Sequence, residues 1–162
     1  MKIYDCITYF NEKTLFELRL NILEKFVHRF VVVEANYTHS GNNKKFNFNI
    51  NDYPKFKDKI IYIALKKYPK NIRYPLKNFK RFNSIQRIAF QRNEILKYIK
   101  YADNEDIIIY SDSDEIPNLN NLDFNQCKEK FIIFKQRLFY YKLNLELKST
   151  YWYGSRACKK KN

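Results

Sequence analysis

The chain has 162 residues and a formal net charge of +14, from 31 Lys and Arg against 17 Asp and Glu, and 45% of its residues are hydrophobic. This length and composition predict one globular domain over residues 1–162 and exclude an intrinsically disordered chain. The two glycines, Gly41 and Gly154, cannot form a G-x-G-x-x-G fingerprint or a G-x-x-x-x-G-K phosphate-binding loop. Nucleotide phosphates, if bound, would need a metal ion or basic side chains.

The remaining composition bears on location and partners. Three cysteines without a C-x-x-C motif, and two histidines, argue against a disulfide framework, a zinc site or a histidine-based triad. The sequence has no apolar run of bilayer length and no signal peptide, so the expectation is a cytoplasmic protein. The excess lysines are scattered, and the short run Lys77–Arg81 is typical of a solvated face. We therefore do not expect nucleic acid as the partner.

The N-terminal region predicts a strand–helix–strand unit. The strands are Ile3–Tyr9 and Arg29–Glu34, and Asn11 is the predicted cap of the helix between them. The spacing predicts that the buried face of this helix carries Leu15, Leu18, Ile22 and Phe26. A right-handed crossover brings the carboxyl ends of both strands to one edge of the sheet.

The rest of the chain predicts further elements in a similar order. A polar loop (37–47) precedes a third strand (59–65), and an irregular basic segment (68–83) precedes a second helix capped by Asn83 or Ser84. The inward positions predicted for this helix are Ile85, Ile88, Ala89, Ile95 or Leu96, and Ile99. The C-terminal part predicts a short helix within 119–129, a long aromatic strand or hairpin arm over 131–145, and an aromatic turn at 151–154.

An acidic turn follows the most hydrophobic strand. The β-branched run Ile107–Tyr110 is typical of a strand buried on both faces, and it ends in Asp112, Asp114 and Glu115. Carboxylates at the end of a buried strand are costly unless a cation or hydrogen bonds compensate them. Strand alternation predicts that Asp112 and Asp114 point to the same side, where both could reach one divalent ion. The alternative is a solvated turn without a function.

Four segments resemble glycosyltransferases of the GT-A type: T-Y-F-N, V-V-V-E, Q-R-N and Y-S-D-S-D, in that order. The stretches I-Y-D-C-I-T-Y-F-N-E, F-V-V-V-E-A, T-H-S-G and S-D-S-D-E-I-P resemble glycosyltransferase family 17 more narrowly, with a weaker echo at 151–156. This is the β-1,4-mannosyl-glycoprotein β-1,4-N-acetylglucosaminyltransferase family. The resemblance implies an α/β, GT-A-like (Rossmann-like) fold with a mixed, mainly parallel sheet flanked by helices. Family members are longer, so the resemblance also implies that a C-terminal third is missing.

The resemblance implies a metal-dependent, inverting transfer of a sugar, N-acetylglucosamine, from a UDP-sugar to a glycan acceptor. Asp112 and Asp114 would bind Mn²⁺ or Mg²⁺. The expected nucleotide-sugar-binding residues are Asn11, Glu34, Arg92, Asn93 and Asp112.

Three of these residues also have a plainer interpretation: a helix cap for Asn11, a strand-end acid facing water for Glu34, and a surface cation for Arg92. The resemblance does not name the catalytic base. The missing C-terminal third would be expected to supply that base together with acceptor contacts. Within this chain Glu115 is the one candidate, and its alternatives are to orient the donor sugar or to cap the turn. Two other functions stay open: a non-catalytic basic domain that binds nucleic acid, and a fragment that binds the donor without transferring it.

Overall fold

A computed structural model describes residues 1–141 and 144–162 as eight strands and two α-helices. The strands are β1 (Ile3–Thr8), β2 (Arg29–Ala35), β3 (Ile60–Leu65), β4 (Ile107–Asp112), β5 (Phe131–Ile133), β6 (Gln136–Phe139), β7 (Glu146–Trp152) and β8 (Arg156–Lys159). The helices are α1 (Lys13–Leu23) and α2 (Lys80–Tyr98). In the part of the chain that is described, no helix has the length and apolar character needed to cross a membrane.

Six strands form one sheet in the order β3-β2-β1-β4-β8-β5. The strands β3, β2, β1 and β4 are parallel, and β8 and β5 continue the sheet in antiparallel pairing. In the parallel register Thr8 lies opposite Val33 on one side and Asp112 on the other, so these carboxyl ends meet at one edge. The predicted α/β class, with a mainly parallel sheet flanked by helices, is confirmed. Strands β6 and β7 form a separate two-stranded ribbon.

The hydrophobic core has two halves, one on each face of the sheet. Phe16, Leu20 and Leu23 of α1 pack with one set of strand side chains, including Phe30 and Ile109. Ile95 of α2 and Ile99 just after it pack with the opposite set, which includes Val31, Val33 and Ile108. This division follows from strand alternation, because neighbouring residues of a strand point to opposite faces.

The buried face of α1 differs from the predicted one. Leu18 and Ile22 are exposed, whereas Phe16, Arg19, Leu20 and Leu23 are buried. The face is rotated because Arg19, which a hydrophobic count places outside, forms a two-bond ion pair with buried Asp5 at 2.6 and 2.7 Å. The predicted cap is also wrong: the helix starts after Glu12, whose carboxylate accepts the Asn11 backbone N–H.

Helix α2 starts earlier than predicted and buries a polar face. It begins at Lys80, so Asn83 lies inside the helix, where its buried amide pairs with the Arg73 backbone N–H and C=O at 2.8 and 2.9 Å. Ile85 and Leu96 are exposed. The buried residues of the helix are Asn83, Arg87, Gln91, Glu94 and Ile95.

The C-terminal elements differ most from expectation. Residues 119–129 form turns rather than a helix, because the Asn118 and Asp123 side chains accept backbone N–H groups two residues ahead. The predicted arm over 131–145 is divided between β5 and β6, which belong to different sheets. Residues 142–143 of that arm lie outside the described residues. The first two residues of the predicted aromatic turn (151–154) belong to the end of β7.

The Arg19–Asp5 pair predicts a large stability effect. Arg19→Met leaves Asp5 as an uncompensated buried carboxylate, and breaking a buried ion pair from one side costs about 3–5 kcal/mol. We expect a loss of this size in the free energy of unfolding, measured by urea denaturation followed by circular dichroism. Arg137→Met is the matched control, because Arg137 forms a similar two-bond pair with Glu146 at an exposed position. Equal effects of the two substitutions would contradict the role given to the buried pair.

Candidate functional site

A cleft of about 740 Å³ lies at the carboxyl edge of the parallel strands. It is bounded by the ends of β1, β2 and β4, by the T-H-S-G loop (residues 38–41) and by one side of α2. In open α/β sheets, ligands bind in a crevice at this edge. Its lining consists of Thr8, Tyr9, Phe10, Glu12, Leu15, Ala35, Tyr37, Thr38, His39, Ser40, Lys44, Ile88, Gln91, Arg92, Asp112, Ser113 and Asp114.

The acidic turn forms one wall of this cleft and is attached to the core through its backbone. The buried Arg19 guanidinium donates to the carbonyl oxygens of Asp112 and Glu115 at 3.2 and 3.0 Å, and to Ser111 Oγ at 2.5 Å. These bonds use two backbone oxygens and one hydroxyl, and none of them uses the carboxylates of Asp112 and Asp114, which both line the cleft. Arg19 therefore positions the turn without engaging its acidic side chains.

Arg92 lies on α2 and faces the acidic turn. Its Nη2 is 3.2 Å from Asp112 Oδ1, and its guanidinium lies 4.9 Å from the centre of the Tyr110 ring. Burial raises the pKa of Tyr110 to about 12, so its hydroxyl remains a hydrogen-bond donor at neutral pH, 3.4 Å from the same Asp112 oxygen. Of the predicted site residues, the structure thus brings together Arg92, Asp112 and Asp114.

Two hydroxyl groups in the cleft wall lack hydrogen-bond partners among the described residues. Tyr37 is 3% exposed and Ser113 is 4% exposed, and neither hydroxyl contacts a donor or acceptor of the described chain. Desolvation raises the pKa of Tyr37 to about 12, so it too is a neutral donor. A buried hydroxyl without a partner is costly. Each hydroxyl oxygen is itself almost completely enclosed, so a ligand could bond it only after a rearrangement of the cleft wall.

Glu34 does not reach the cleft surface. Its buried carboxylate accepts hydrogen bonds from the Asn47 and Phe48 backbone N–H groups at 2.7 and 3.0 Å, from the Tyr62 hydroxyl at 2.9 Å, and from Lys44 Nζ. These four donors use both oxygens, so Glu34 holds the segment that follows the T-H-S-G loop. Lys44 is the member of this network that lines the cleft.

Asn11 and Asn93 are exposed and do not line the cleft. The sequence interpretation also did not single out Lys44, Tyr37, Gln91 or Ser113 as site residues. A carboxylate at the end of a buried strand, such as that of Glu34, needs a cation, and this requirement could have pointed to Lys44. No local pattern marks Gln91, whose side chain caps β2 by donating to the Val33 carbonyl at 3.0 Å.

The donor set suits a divalent ion only if a ligand completes the coordination. Among residues 1–141 and 144–162, no three His, Cys, Asp or Glu side chains are grouped closely enough to hold a metal by themselves. Asp112 and Asp114 offer two carboxylates to one cleft. Mg²⁺ is commonly bound by one or two carboxylates together with substrate phosphates and water. The turn fits this type of site.

The far side of the acidic turn faces the β6–β7 ribbon. Two further cavities, of about 470 and 480 Å³, lie there, and both are lined by Asp112, Glu115 and Trp152. Glu115 accepts the Asp112 backbone N–H at 2.9 Å and the indole N–H of Trp152. The ribbon and the residues that adjoin it expose several aromatic rings around this point: Phe139, Tyr140, Tyr141, Tyr151, Trp152 and Tyr153.

A mainly parallel α/β sheet with a polar cleft outside its carboxyl edge and an acidic turn in that cleft defines an α/β domain built to bind a small polar ligand. The chain belongs to glycosyltransferase family 17, whose model matches residues 1–161, and it is therefore a glycosyltransferase-family protein. Among solved structures it is similar to a 2-C-methyl-D-erythritol 4-phosphate cytidylyltransferase of Francisella tularensis, with 12% identity and a TM-score of 0.43, over 98% of this chain and 73% of that chain. No curated protein matches it.

The network around Glu34 predicts a structural rather than a ligand-binding phenotype. Glu34→Gln removes the charge that compensates Lys44 and replaces one acceptor oxygen by an N–H donor that faces other donors. We expect the free energy of unfolding to fall by about 3 kcal/mol, because unsatisfied buried groups carry the full desolvation cost. Urea denaturation measures this loss. Glu17→Gln, the same change at an exposed position of α1, should leave stability nearly unchanged. A stable Glu34→Gln variant with impaired ligand binding would instead place Glu34 in direct contact with the ligand.

Proposed function

We propose that this protein transfers N-acetylglucosamine from UDP-N-acetylglucosamine to a glycan acceptor with inversion, using Mn²⁺ or Mg²⁺ bound by Asp112 and Asp114. Family membership supports sugar transfer. The observation that carries the finer proposal is that Asp112, Asp114 and Arg92 line a single cleft at the carboxyl edge of the sheet. Such a cleft combines metal-binding oxygens with a cation and suits a diphosphate.

The donor diphosphate lies against the acidic turn in this proposal. A bound divalent ion supplies charge neutralisation to the departing nucleoside diphosphate. Arg92 is half exposed, with an ion-pair partner in the turn, and it adds a second positive charge beside the phosphates. Lys44 supplies a third cation on the opposite wall. Cations that are already fixed in place stabilise developing negative charge without reorganisation during the reaction.

The two unpartnered hydroxyls complete the donor site. After a rearrangement of the cleft wall that uncovers them, Tyr37 and Ser113 would exchange hydrogen bonds with ribose or sugar hydroxyls, which relieves the cost of burying them alone. Glu34 supports the donor indirectly, by orienting Lys44 and the backbone at 47–48. We do not assign Asn11 or Asn93 to the donor site, since neither lines the cleft.

The acceptor approaches from the side of the aromatic ribbon. Exposed rings such as that of Trp152 offer a flat apolar face on which a sugar ring can stack, whereas one face of the Tyr151 ring is covered by Lys135 Nζ, 3.7 Å from the ring centre. Glu115 lies between Trp152 and the Asp112 backbone and lines both cavities on this side. Inverting transfer needs a general base for the acceptor hydroxyl. Glu115 is our candidate for that base.

Donor binding should require the metal. We expect isothermal titration with UDP-N-acetylglucosamine to show binding in the presence of Mn²⁺ and at least about tenfold weaker binding after chelation, because the diphosphate would then face two uncompensated carboxylates. Asp114→Asn should cause a comparable loss in the presence of Mn²⁺. Asp58→Asn, an exposed acid away from the cleft, is the matched control and should bind normally. Equal affinity with and without metal would remove the acidic turn from the donor site.

Glu115 can be separated from donor binding by kinetics. With UDP-N-acetylglucosamine as donor and p-nitrophenyl β-mannoside as acceptor probe, Glu115→Gln should lower kcat by about 10²-fold, the typical contribution of a general base. The amide oxygen can still accept the Asp112 N–H, and only the exposed Trp152 N–H, which bonds the other carboxylate oxygen, loses its acceptor, so donor affinity should stay within about twofold. A variant with full kcat, or one whose donor affinity falls together with kcat, would exclude the proton-accepting role.

A further inference from the structure

A second cavity, of about 680 Å³, lies next to the cleft at the N-terminal end of α2. Four cationic side chains line it, Lys77, Lys80, Arg81 and Arg87, and the other lining residues are neutral, so no carboxylate is among them. In the described part of the chain, none of the four forms an ion pair with an acid. We call this the basic cavity. Ser40 lines both the basic cavity and the cleft, so the two spaces adjoin.

Arg87 is the part of the basic cavity that a solvated surface does not explain. It is only 3% exposed, yet its bonds go to neutral groups: Nη1 donates to the His39 carbonyl at 3.0 Å and Nε donates to the Tyr68 hydroxyl. The other buried arginine, Arg19, has Asp5 as its counter-ion. A buried guanidinium without a carboxylate is costly, and an anion in the cavity would supply the missing charge.

The walls around Arg87 are held in place by specific contacts. Asn83 clamps the segment at Arg73 through two hydrogen bonds. On the other wall Gly41 has φ +99°, and a Cβ atom there would lie 2.5 Å from Arg87 Nη2. Only glycine therefore permits this backbone conformation and this close approach. The guanidinium is fixed between the T-H-S-G loop and the cavity.

The rim of the basic cavity, at Lys80 and Arg81, is too far from the acidic turn to contact the same phosphates. Lys80 and Arg92 are both on α2, about 18 Å apart along the helix axis at the usual rise per residue. Arg92 contacts Asp112, where the donor diphosphate is proposed to bind. An anion beside Lys80 and Arg81 therefore belongs to another group, within reach of a ligand that also occupies the cleft.

We propose that the basic cavity binds the phosphate group of a phosphorylated sugar or glycan, at a site that adjoins the donor cleft on the side away from the ribbon. The inference goes beyond the proposed function, because the phosphate site does not depend on the donor or the metal. Arg87 is the buried anchor, and Lys77, Lys80 and Arg81 form the accessible rim. Arginine and lysine bind phosphate through charge-assisted hydrogen bonds.

The test measures binding of glucose 6-phosphate, glucose and inorganic phosphate by calorimetry at constant ionic strength, without UDP-sugar or metal. The triple substitution Lys77→Ala, Lys80→Ala, Arg81→Ala removes the rim while retaining Arg87. Its matched control is Lys57→Ala, Lys128→Ala, Lys130→Ala, which removes the same charge from exposed positions outside the cavity. We expect glucose 6-phosphate to bind the wild type and the control alike and the rim variant at least about tenfold more weakly.

Several results would overturn the inference. Equal affinity for glucose and glucose 6-phosphate would exclude a phosphate site. Equal losses of affinity for glucose 6-phosphate in both triple variants would show that binding follows only the overall charge of the protein. If the protein bound inorganic phosphate but not glucose 6-phosphate, a phosphate carried by a sugar would be excluded. Preferential, rim-dependent binding to phosphatidylglycerol vesicles would exclude it as well. The donor titration on the rim variant is independent: it should retain wild-type affinity for UDP-N-acetylglucosamine with Mn²⁺, so failure of the donor site and failure of the phosphate site give different patterns.

Discussion

The arrangement of this protein depends on one buried guanidinium. Arg19 extends from α1 into the sheet, pairs with Asp5 on β1, and donates to Ser111 and to the carbonyl oxygens of Asp112 and Glu115. A buried ion pair is stable only when its remaining donors and acceptors are satisfied. Here that requirement is met by the backbone of the acidic turn. The interaction that neutralises the interior therefore also sets the position of the candidate metal ligands, and a change in the core would be transmitted directly to the cleft.

A second buried ion defines the opposite wall. Glu34 lies at the carboxyl end of β2. Its carboxylate accepts hydrogen bonds from residues of segment 44–48, which has no regular secondary structure, and one of these bonds fixes Lys44 at the cleft. Loops over an open sheet edge need such anchors, because their backbone groups lack partners in a regular ladder. The cleft is thus bounded by two loops: the acidic turn, which is bonded to the buried Arg19, and segment 44–48, which is bonded to the buried Glu34. Arg87, tied only to neutral groups, is the exception, and this difference gives the basic cavity its significance.

The order of the elements up to β4 could be read from the sequence, but the C-terminal elements and the full buried faces of the helices could not. The β-branched runs at 29–35 and 107–110 are long enough and apolar enough that only buried parallel strands suit them, and both were predicted correctly. Arg19 and Gln91 are polar residues on buried faces, so counting hydrophobic positions turned α1 by about one residue and missed the polar part of the buried face of α2, although Ile95 and Ile99 were predicted correctly. The acidic turn was predicted as a unit because local spacing contains it. Lys44 and Tyr37 were missed because their positions depend on contacts made across the fold.

The polarity of α2 has a physical reason that joins the fold to the site. One helix must cover a hydrophobic sheet face near its C-terminal end, where Ile95 and Ile99 are buried, and border two polar cavities along the rest of its length. Its inward face therefore changes from apolar to charged toward the N-terminus, through Gln91 and Arg87. Such a face gains little from the hydrophobic effect, so its stability comes from specific hydrogen bonds such as those of Asn83 and Gln91. Those bonds also make the helix a rigid support, which a site needs if its charged groups are to be in place before a ligand arrives.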